Sequence, residues 1–255
     1  MLKFALVQFA PIFEDKKASA EYLQQLLVSR LNHNVDMIVF PELTLTGFTM
    51  RSQKFAENMN ESSIQYFSNL ARQYKTHIFA GMIERDDQTF YNTLFHLNPE
   101  GQLVTKYRKI HPFSFSGENR HYTAGIQPVI SRINKFRLGL AICYDLRFPE
   151  LFRFYAKERV HVIIDIANWP QARIEHWQTL LKARSIENQC YVIGVNRIGH
   201  DKKSEYHGCS CVYAPFGEAI CQAGANEEII TGTLSLAQVI QVQSDYPFLN
   251  DIRLI

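Results

Sequence analysis

The stretch that most constrains this chain is an apolar run over residues 136–142, which ends in Cys143 and is followed by charged residues and Pro149. An apolar run of this length is typical of a buried strand. Proline suits the first turn of a helix, where its missing N–H is not needed. The sequence therefore predicts a buried strand that passes into a helix, with Cys143 at the junction.

A cysteine at such a junction has two interpretations. It can be a buried structural residue, which is the common state of free cysteines. It can also be a nucleophile, because the end of a buried strand holds a side chain rigidly at a place where it can meet a substrate. The rest of the chain is needed to choose between these two interpretations of Cys143.

Strands and helices alternate in the first third of the chain. Apolar, β-rich runs predict strands over residues 2–9, 37–40 and 77–83. Between them, apolar residues at helical spacing predict amphipathic helices over 17–31 and 64–74. This alternation favours an α/β fold.

The rest of the chain predicts a mixed sheet with helices covering it. Residues 91–107 form a predicted hairpin around a turn at 98–101, and 129–142 form a second one around 134–135. The further elements expected are a helix from Pro149, a strand over 160–167, a helix over 174–188, a strand over 191–195, and a β-rich C-terminal segment with a turn at 215–218. No linker or internal repeat divides the sequence, so we expect one domain over residues 1–255.

Charge and composition exclude several classes of partner. The net charge of +2 is too small to indicate nucleic acid or an anionic membrane. No apolar stretch is long enough to span a bilayer, and the N-terminus enters a strand without a cleavable signal pattern. The five cysteines lack the spacing of a disulfide scaffold, which favours a reducing compartment. We therefore expect a cytoplasmic protein.

Glu42 and Lys109 occupy positions like that of Cys143, because each is a reactive polar residue directly after a predicted strand. A carboxylate, an ammonium and a thiol suffice for acyl transfer. The carboxylate takes the thiol proton, since only the thiolate attacks, and the ammonium stabilises the oxyanion that then develops. Spacing alone leaves simpler alternatives open: a charge at a helix start for Glu42 and a solvated end of a basic run for Lys109.

Three blocks of sequence resemble the three signature blocks of the nitrilase superfamily of carbon–nitrogen hydrolases. They lie at residues 41–48, 107–111 and 143–150, in the family's order and at comparable separations. The resemblance extends over nearly the whole chain and includes residues 91–93, 167–170, 183–192 and 215–218. It implies an α/β fold of the four-layer α-β-β-α sandwich type, and a homodimer formed across helices.

The resemblance also implies a role for each matching residue. Glu42 matches the general base, Lys109 the oxyanion-stabilising lysine and Cys143 the nucleophile. The backbone N–H of Tyr144 would be a second oxyanion donor. Glu118 matches a second glutamate that helps to position the substrate and the lysine, with an exposed loop carboxylate as the alternative.

Within the superfamily, residues 143–149, 167–170 and 187–192 most closely resemble bacterial omega-amidases, which hydrolyse the terminal amide of 2-oxoglutaramate and 2-oxosuccinamate. The resemblance implies that Asn168 and Trp169 bind substrate, although Trp169 is equally compatible with a core position. A carbamoyl-amine hydrolase or an aliphatic amidase is the alternative function.

An omega-amidase substrate carries a carboxylate at the end away from the scissile amide, so its pocket should contain a cation or several donors. The candidates by residue type are Arg120, Arg173 and Arg197. Arg147 is close to Cys143 in sequence, but an ion pair with Glu150 or Asp145 is at least as good an interpretation.

No cofactor and no metal are expected. The nearest approach to a ligand cluster is His207, Cys209 and Cys211, which lacks a second ligand pair and is disfavoured as a structural metal site. Cys190 and Cys221 lie in apolar surroundings and are expected in the core.

Two other classes remain as alternatives. A Cys–His hydrolase would pair Cys143 with a histidine such as His111, but it leaves Glu42 and Lys109 unexplained. A non-catalytic binding protein on the same fold would have no chemical reason to contain all three reactive residues.

Overall fold

The computed structural model describes residues 1–31 and 34–254. Its strands are β1 Leu2–Gln8, β2 Met37–Val39, β3 His77–Asp86, β4 Thr89–Leu97, β5 Leu103–Arg108, β6 Ile130–Ile133, β7 Phe136–Ile142, β8 Val162–Ala167, β9 Tyr191–Asn196, β10 Ile198–His200, β11 Glu205–His207, β12 Cys211–Tyr213, β13 Ala219–Gln222 and β14 Glu228–Leu234. Its helices are α1 Lys16–Arg30, α2 Ser52–Phe55, α3 Ser62–Tyr74, α4 Pro149–Lys157, α5 Ile174–Asn188 and α6 Leu236–Asp245.

Two six-stranded sheets form the centre of the molecule, and they share one pairing pattern. The first has the order β14-β1-β2-β3-β4-β5, and the second, counted from its other edge, has the order β6-β7-β8-β9-β12-β13. In both, the successive pairs are antiparallel, parallel, parallel, antiparallel and antiparallel. The chain thus repeats a topology that its sequence does not show as a repeat.

Side-chain alternation along the strands builds the layers. In β1, Leu2, Phe4 and Leu6 belong to the apolar core that also contains the second sheet, whereas Ala5 and Val7 pack with the apolar faces of α1 and α3. This two-sided burial follows from the period of two along a strand. On the far side of the second sheet, α4 and α5 complete the same core. The result is a helix–sheet–sheet–helix arrangement.

Local sequence signals explain where several helices begin. The side chain of Asp15 caps α1 by accepting from the N–H of Ala18 at 3.0 Å. Pro149 occupies the first turn of α4, as its fixed φ and missing N–H favour. Each of these two helices therefore starts at a residue that satisfies or dispenses with an unpaired backbone N–H.

The predicted α/β class with mixed sheets and covering helices is confirmed, and the boundaries of most predicted elements agree with the structure to within about two residues. One prediction was wrong in part: the C-terminal segment is not only β-rich, because α6 follows β14. The side chain of Ser235 caps this helix by accepting from the N–H of Gln238. In the described part of the chain, no helix is long and apolar enough to cross a membrane.

Candidate active site

Glu42 lies just after β2 and is completely buried. One carboxylate oxygen, Oε1, accepts hydrogen bonds from Asn92 Nδ2 at 2.7 Å and from Lys109 Nζ at 2.9 Å. The other, Oε2, accepts from the backbone N–H of Asn168 at 2.8 Å. Because all of these groups are donors, they hold Glu42 as a carboxylate that can accept a further proton.

Lys109 lies directly after β5, and its ammonium is enclosed by two carboxylates. Nζ is 2.9 Å from Glu42 Oε1 and 3.0 Å from Glu118 Oε2. Burial by itself lowers the pKa of a lysine, but the charges of Glu118 and Glu42 outweigh burial and raise the pKa of Lys109 well above its ordinary value. The ammonium is therefore charged throughout the physiological pH range.

Glu118 lies in a 3-10 turn and is fully buried, so it is not an exposed loop carboxylate. Besides Lys109, it accepts from Asn92 Nδ2 at 2.9 Å and from the backbone N–H of Phe113. The turn that carries Glu118 is thus tied to the end of β5 through Lys109 and to the middle of β4 through Asn92.

Asn92 was not predicted as a site residue, although it joins the two glutamates. Its side-chain amide donates to Glu42 Oε1 and to Glu118 Oε1, and its backbone oxygen accepts from the N–H of Lys109 at 2.9 Å. A signal was present in the sequence, because asparagine is depleted in strand interiors and Asn92 lies inside β4.

Cys143 follows β7 and begins a 3-10 turn that leads to Pro149 and α4. Its φ of +52° lies in the left-handed region, which is uncommon for a residue other than glycine. The side chain is half-buried, and it lines the same cavity as Lys109. Tyr144 is the second residue of the turn, so its backbone N–H is one of those that a helical turn leaves without an internal acceptor.

The charges around Cys143 favour the neutral thiol in the free protein. Burial and the carboxylate of Glu42 raise the pKa of the thiol well above its ordinary value, against the opposing effect of Lys109. Glu42, Glu118 and Lys109 together carry one net negative charge, and a thiolate would add a second. An attack by this sulfur would therefore require a group that takes the thiol proton, and Glu42 has the right chemistry for it.

Asn168 lies directly after β8 and contacts Glu42 three times. Besides the backbone bond, Asn168 Nδ2 donates to the carbonyl oxygen of Glu42 at 2.8 Å and to its Oε2 at 3.2 Å. Asn168 therefore fixes the position of Glu42, in addition to lining the cavity.

Trp169 is both a core residue and part of the cavity wall. It is 2% exposed and packs against Trp177 with 5.5 Å between ring centroids, yet it also lines the cavity beside Cys143. Its indole N–H donates to the backbone oxygen of Arg173 at 2.7 Å, which fixes the ring. The two interpretations of Trp169 are thus compatible with each other.

The cavity that contains Cys143 has a volume of about 310 Å³. Aromatic and cationic side chains make up much of its wall. Besides Lys109, they are Phe13, Phe48, Phe113, Tyr144, Trp169, Tyr206, Arg51, Arg147, Arg173, Lys202 and Lys203. Arg51 is paired with Glu14 at 2.7 Å. Among the described residues, no carboxylate lies within 4 Å of Arg147 or Arg173. These two side chains are therefore cations available to an anionic ligand.

The predicted arginines fall in different places. Arg173 lines the cavity, with its guanidinium 5.6 Å from the ring centroid of Phe113. Arg120 does not line it, and Arg197 is buried, donating to the backbone oxygens of Ile198 and His200.

Arg147, for which an ion pair was the other interpretation, is not paired with Asp145 or Glu150 within the described residues. It lies over the ring of Trp169 at 4.8 Å instead.

The remaining candidates lie outside the cluster. His111 Nδ1 is 2.7 Å from Asp145 Oδ1, and its ring stacks on Phe148 at 3.8 Å between centroids. Within residues 1–31 and 34–254, no three His, Cys, Asp or Glu side chains are grouped so that they could hold a metal ion, and His207, Cys209 and Cys211 do not form such a group.

Asp145 and Asp165 are two further buried carboxyls that the sequence did not single out as site residues. Asp145 Oδ2 accepts from the backbone N–H of Ile142 at 3.0 Å, and Asp165 Oδ1 accepts from that of Cys143 at 2.6 Å. An aspartate within the otherwise apolar β8 was the signal for Asp165, since aspartate is depleted in strands.

Known proteins resemble this chain over nearly its whole length. The carbon–nitrogen hydrolase family matches residues 3–244. The "hydrolase in agr operon" of Staphylococcus aureus is 34% identical and covers 99% of this chain and 98% of its own length. The 2-oxoglutaramate amidase of Bacillus subtilis is 31% identical, over 90% of this chain and 89% of its own.

A solved structure shows the same fold. It is that of a CN-hydrolase superfamily protein from Xanthomonas campestris with an arsenic adduct in its active site. It is 30% identical, covers 100% of this chain and 98% of its own, and superposes with a TM-score of 0.94. The expected nitrilase-type sandwich is therefore confirmed. The chain belongs to the carbon–nitrogen hydrolase family and is an amidase of the nitrilase superfamily.

Proposed function

We propose that this protein is an omega-amidase, which hydrolyses the terminal amide of 2-oxoglutaramate or 2-oxosuccinamate to the 2-oxo dicarboxylic acid and ammonia. The observation that carries the proposal is the buried Glu42–Lys109–Glu118 cluster beside Cys143, in a cavity whose wall also presents Arg147 and Arg173. The cluster suits acyl transfer, and the arginines suit a substrate with a distal carboxylate.

In the first half-reaction, the sulfur of Cys143 attacks the amide carbon as Glu42 takes the thiol proton. The resulting oxyanion lies between Lys109 Nζ and the backbone N–H of Tyr144. Glu42 then gives the proton to the amide nitrogen, the carbon–nitrogen bond breaks, and ammonia leaves. The product of this half-reaction is a thioester on Cys143.

In the second half-reaction, water replaces ammonia. Glu42 takes a proton from the water as its oxygen attacks the thioester carbon, and the same two donors stabilise the second oxyanion. The carbon–sulfur bond then breaks, and Glu42 returns the proton to the sulfur of Cys143. The acid leaves, and the free enzyme is restored without a cofactor.

Lys109 suits the oxyanion role because its charge is permanent and its position is fixed. Two carboxylates hold its ammonium at 2.9 and 3.0 Å, so little reorganisation is needed when the oxyanion forms. Glu118 supports this role without lining the cavity, which makes it a positioning residue for Lys109.

The cavity supports the choice of substrate. Its volume of about 310 Å³ is at the small end of ligand sites, which suits a substrate of a few carbons. Arginine forms bidentate bonds with carboxylates, so Arg147 and Arg173 would bind the end away from the scissile amide. The similarity to an enzyme named 2-oxoglutaramate amidase also favours this substrate.

The test is ammonia release from 2-oxoglutaramate, compared with pentanamide, which has the same chain length and no carboxylate. We expect Arg173→Gln and Arg147→Gln each to lower kcat/KM for 2-oxoglutaramate by roughly 10- to 100-fold, the equivalent of one charged hydrogen bond. Their effect on pentanamide should be small. Arg120→Gln, outside the cavity, is the matched control.

Two outcomes would contradict different parts of the proposal. If 2-oxoglutaramate is inert while a carbamoyl amine or an aliphatic amide is turned over, the substrate assignment fails and the thioester mechanism stands. If Cys143→Ala retains the turnover of any amide, the mechanism itself fails.

We further propose that the enzyme is a cytoplasmic homodimer, each chain of which forms one domain over residues 1–255. The five cysteines, none of them in a disulfide, support a reducing compartment. The resemblance to the superfamily supports the dimer. Light scattering during size-exclusion chromatography should give twice the chain mass, and a monomer mass at micromolar concentration would contradict the dimer.

A further inference from the structure

The backbone of Cys143 is held by a side chain rather than by the neighbouring strand. β7 and β8 pair in parallel up to Ile142, which lies opposite Ile166, and Asp165 lies opposite Ala141. One residue beyond the ladder, the N–H of Cys143 donates to Asp165 Oδ1 at 2.6 Å. The carboxyl of Asp165 thus takes the place of a backbone acceptor.

This contact lies where the chain needs support. The left-handed φ of +52° at Cys143 costs a residue with a Cβ about 1–2 kcal/mol. Such a conformation persists only when its surroundings fix it. The N–H of the preceding residue, Ile142, is also held, by Asp145 Oδ2 at 3.0 Å. The backbone N–H groups of two consecutive residues, Ile142 and Cys143, are therefore each bound to the carboxyl of a buried aspartate.

The two aspartates differ in how many hydrogen bonds their carboxyl oxygens accept. Asp145 accepts from the hydroxyl of Tyr107 at 2.7 Å and from the backbone and ring of His111, in addition to Ile142. Asp165 Oδ1 accepts from the backbone N–H of Cys143, whereas Asp165 Oδ2 is buried without a hydrogen-bond partner among the residues that the structure describes. Burying a carboxylate that has one oxygen without a hydrogen-bond partner costs much free energy, whereas burying a neutral carboxyl costs much less.

The surroundings of Asp165 also favour its neutral form. Burial and the neighbouring Asp145 raise the pKa of Asp165 well above its ordinary value, and Glu42 adds to them. The N–H of Cys143 and the ammonium of Lys109 act in the opposite direction without outweighing burial.

A further ionisable group near Asp165 is the phenol of Tyr155 on α4, whose own pKa burial and nearby carboxylates raise. None of these neighbours supplies Asp165 with a compensating charge at hydrogen-bond distance.

We propose that Asp165, as a neutral carboxyl, is the positioning residue for the nucleophile: it fixes the left-handed backbone of Cys143 without adding a negative charge beside the thiol. This inference rests on the proposed role of Cys143. The direction of the sulfur and the orientation of the Tyr144 N–H both depend on that backbone, so one contact sets the nucleophile and one oxyanion donor together.

Two substitutions of similar size separate the hydrogen bond from the charge. Asp165→Asn retains an acceptor oxygen and is neutral, so kcat should stay within about threefold of the wild type, well below the cost of a lost hydrogen bond. Asp165→Leu removes the acceptor, and kcat should fall roughly 100-fold, as expected when a reacting group is displaced by about 1 Å. KM should change little in both, because Asp165 does not line the cavity.

A second measurement needs no substrate. The rate at which iodoacetamide alkylates Cys143, followed by mass spectrometry of the Cys143 peptide, should have the same pH profile in Asp165→Asn as in the wild type. Removing an ionised carboxylate would instead lower the pKa of the thiol and shift the profile to lower pH. Asp86→Asn, at an aspartate whose side chain is 55% exposed, is the control.

Several outcomes would overturn the proposal. These are an Asp165→Leu variant with normal kcat, an Asp165→Asn variant as impaired as Asp165→Leu, or an alkylation profile of Asp165→Asn shifted to lower pH. If circular dichroism shows that Asp165→Leu does not fold, the Asn variant decides alone through its kcat and its profile. Failure of the omega-amidase proposal is separate, since alkylation does not depend on which amide is turned over.

Discussion

The two sheets share one pattern of strand pairing but carry different chemistry at their strand ends. In the first sheet, the residues after β2 and β5 are Glu42 and Lys109, which are buried and bound to each other. In the second sheet, the residue after β7 is Cys143, which is half-buried and open to the cavity. The first half of the molecule therefore supplies fixed charges, and the second supplies the group that would form and break a covalent bond.

The two halves meet at equivalent strands. β2 is the third strand of the first sheet, and β8 is the third strand of the second when it is counted from β6. The loops that follow β2 and β8 are in contact, because the backbone N–H of Asn168 donates to Glu42 Oε2. These two residues are 126 positions apart in the sequence. A repeated topology thus brings two different loops together, and the contact between them joins the proposed base, Glu42, to the second sheet.

The largest effect is expected from neutralising Glu42, the carboxylate of the first half that also binds Asn168 of the second half. Glu42→Gln cannot take the thiol proton, so kcat should fall by about 10³-fold, as for other general bases. Because the charge of Glu42 raises the pKa of Cys143, the same variant should be alkylated at Cys143 at lower pH than the wild type. Ammonia release and the pH profile of alkylation measure the two effects.

The control for that experiment is Glu84→Gln. Glu84 is also a buried carboxylate of the first sheet, but its partners are Thr93, Lys106 and Arg108. Its loss should affect stability and leave kcat close to that of the wild type. An unchanged kcat in Glu42→Gln would contradict the division of roles between the sheets.

Removing the ammonium of Lys109 tests how much its ion pairs with Glu42 and Glu118 contribute to the stability of the protein. Lys109→Met leaves Glu42 and Glu118 facing each other in a buried site, and breaking a buried ion pair in this way costs about 3–5 kcal/mol of unfolding free energy. Cys143→Ala should cost much less, because no charge loses its partner. Urea denaturation of both variants provides the comparison.

Lys106→Met is the matched control for the lysine. Lys106 lies on β5, the strand that Lys109 directly follows, but its side chain is 35% exposed, and Glu84 retains Arg108 when Lys106 is lost. We expect a loss of no more than about 1 kcal/mol. Equal losses in Lys109→Met and Lys106→Met would mean that the buried cluster contributes no special stability.

The smallest effect is expected at the contact between the halves. Asn168→Ala removes two side-chain bonds to Glu42 but leaves the backbone N–H that binds Oε2, so kcat should fall by only about 5- to 30-fold, equivalent to 1–2 kcal/mol. Asn188→Ala removes a buried amide of α5 that binds Arg184 and should leave kcat unchanged. A larger loss in Asn188→Ala than in Asn168→Ala would contradict this account of the contact.

Most of the fold could be predicted from local pattern. The apolar strands and amphipathic helices were visible because their periodicities differ, and Pro149 marked the start of α4. The helix α6 was missed because valines and an isoleucine interrupt a short, polar segment, although Ser235 was a capping signal. The equivalence of the two sheets could not be predicted, since topology repeats without repeating residues.

The site divides in the same way. Glu42, Lys109 and Cys143 drew attention because each follows a predicted strand, and their roles came from the resemblance to the signature blocks of the superfamily. Asn92 and Asp165 were missed because, although a polar residue inside a strand is unusual, the sequence does not show which residue it binds across the fold. Likewise, only three-dimensional contacts separate Arg173, which lines the cavity, from the buried Arg197.

The central claim is that the acyl group is transferred to the sulfur of Cys143. The most direct measurement is intact-protein mass spectrometry after rapid acid quenching of the enzyme with 2-oxoglutaramate. It should show an adduct with the mass of the substrate less ammonia, located on the Cys143 peptide and absent from Cys143→Ala. Undiminished ammonia release by Cys143→Ala, or an adduct at another residue, would contradict the account.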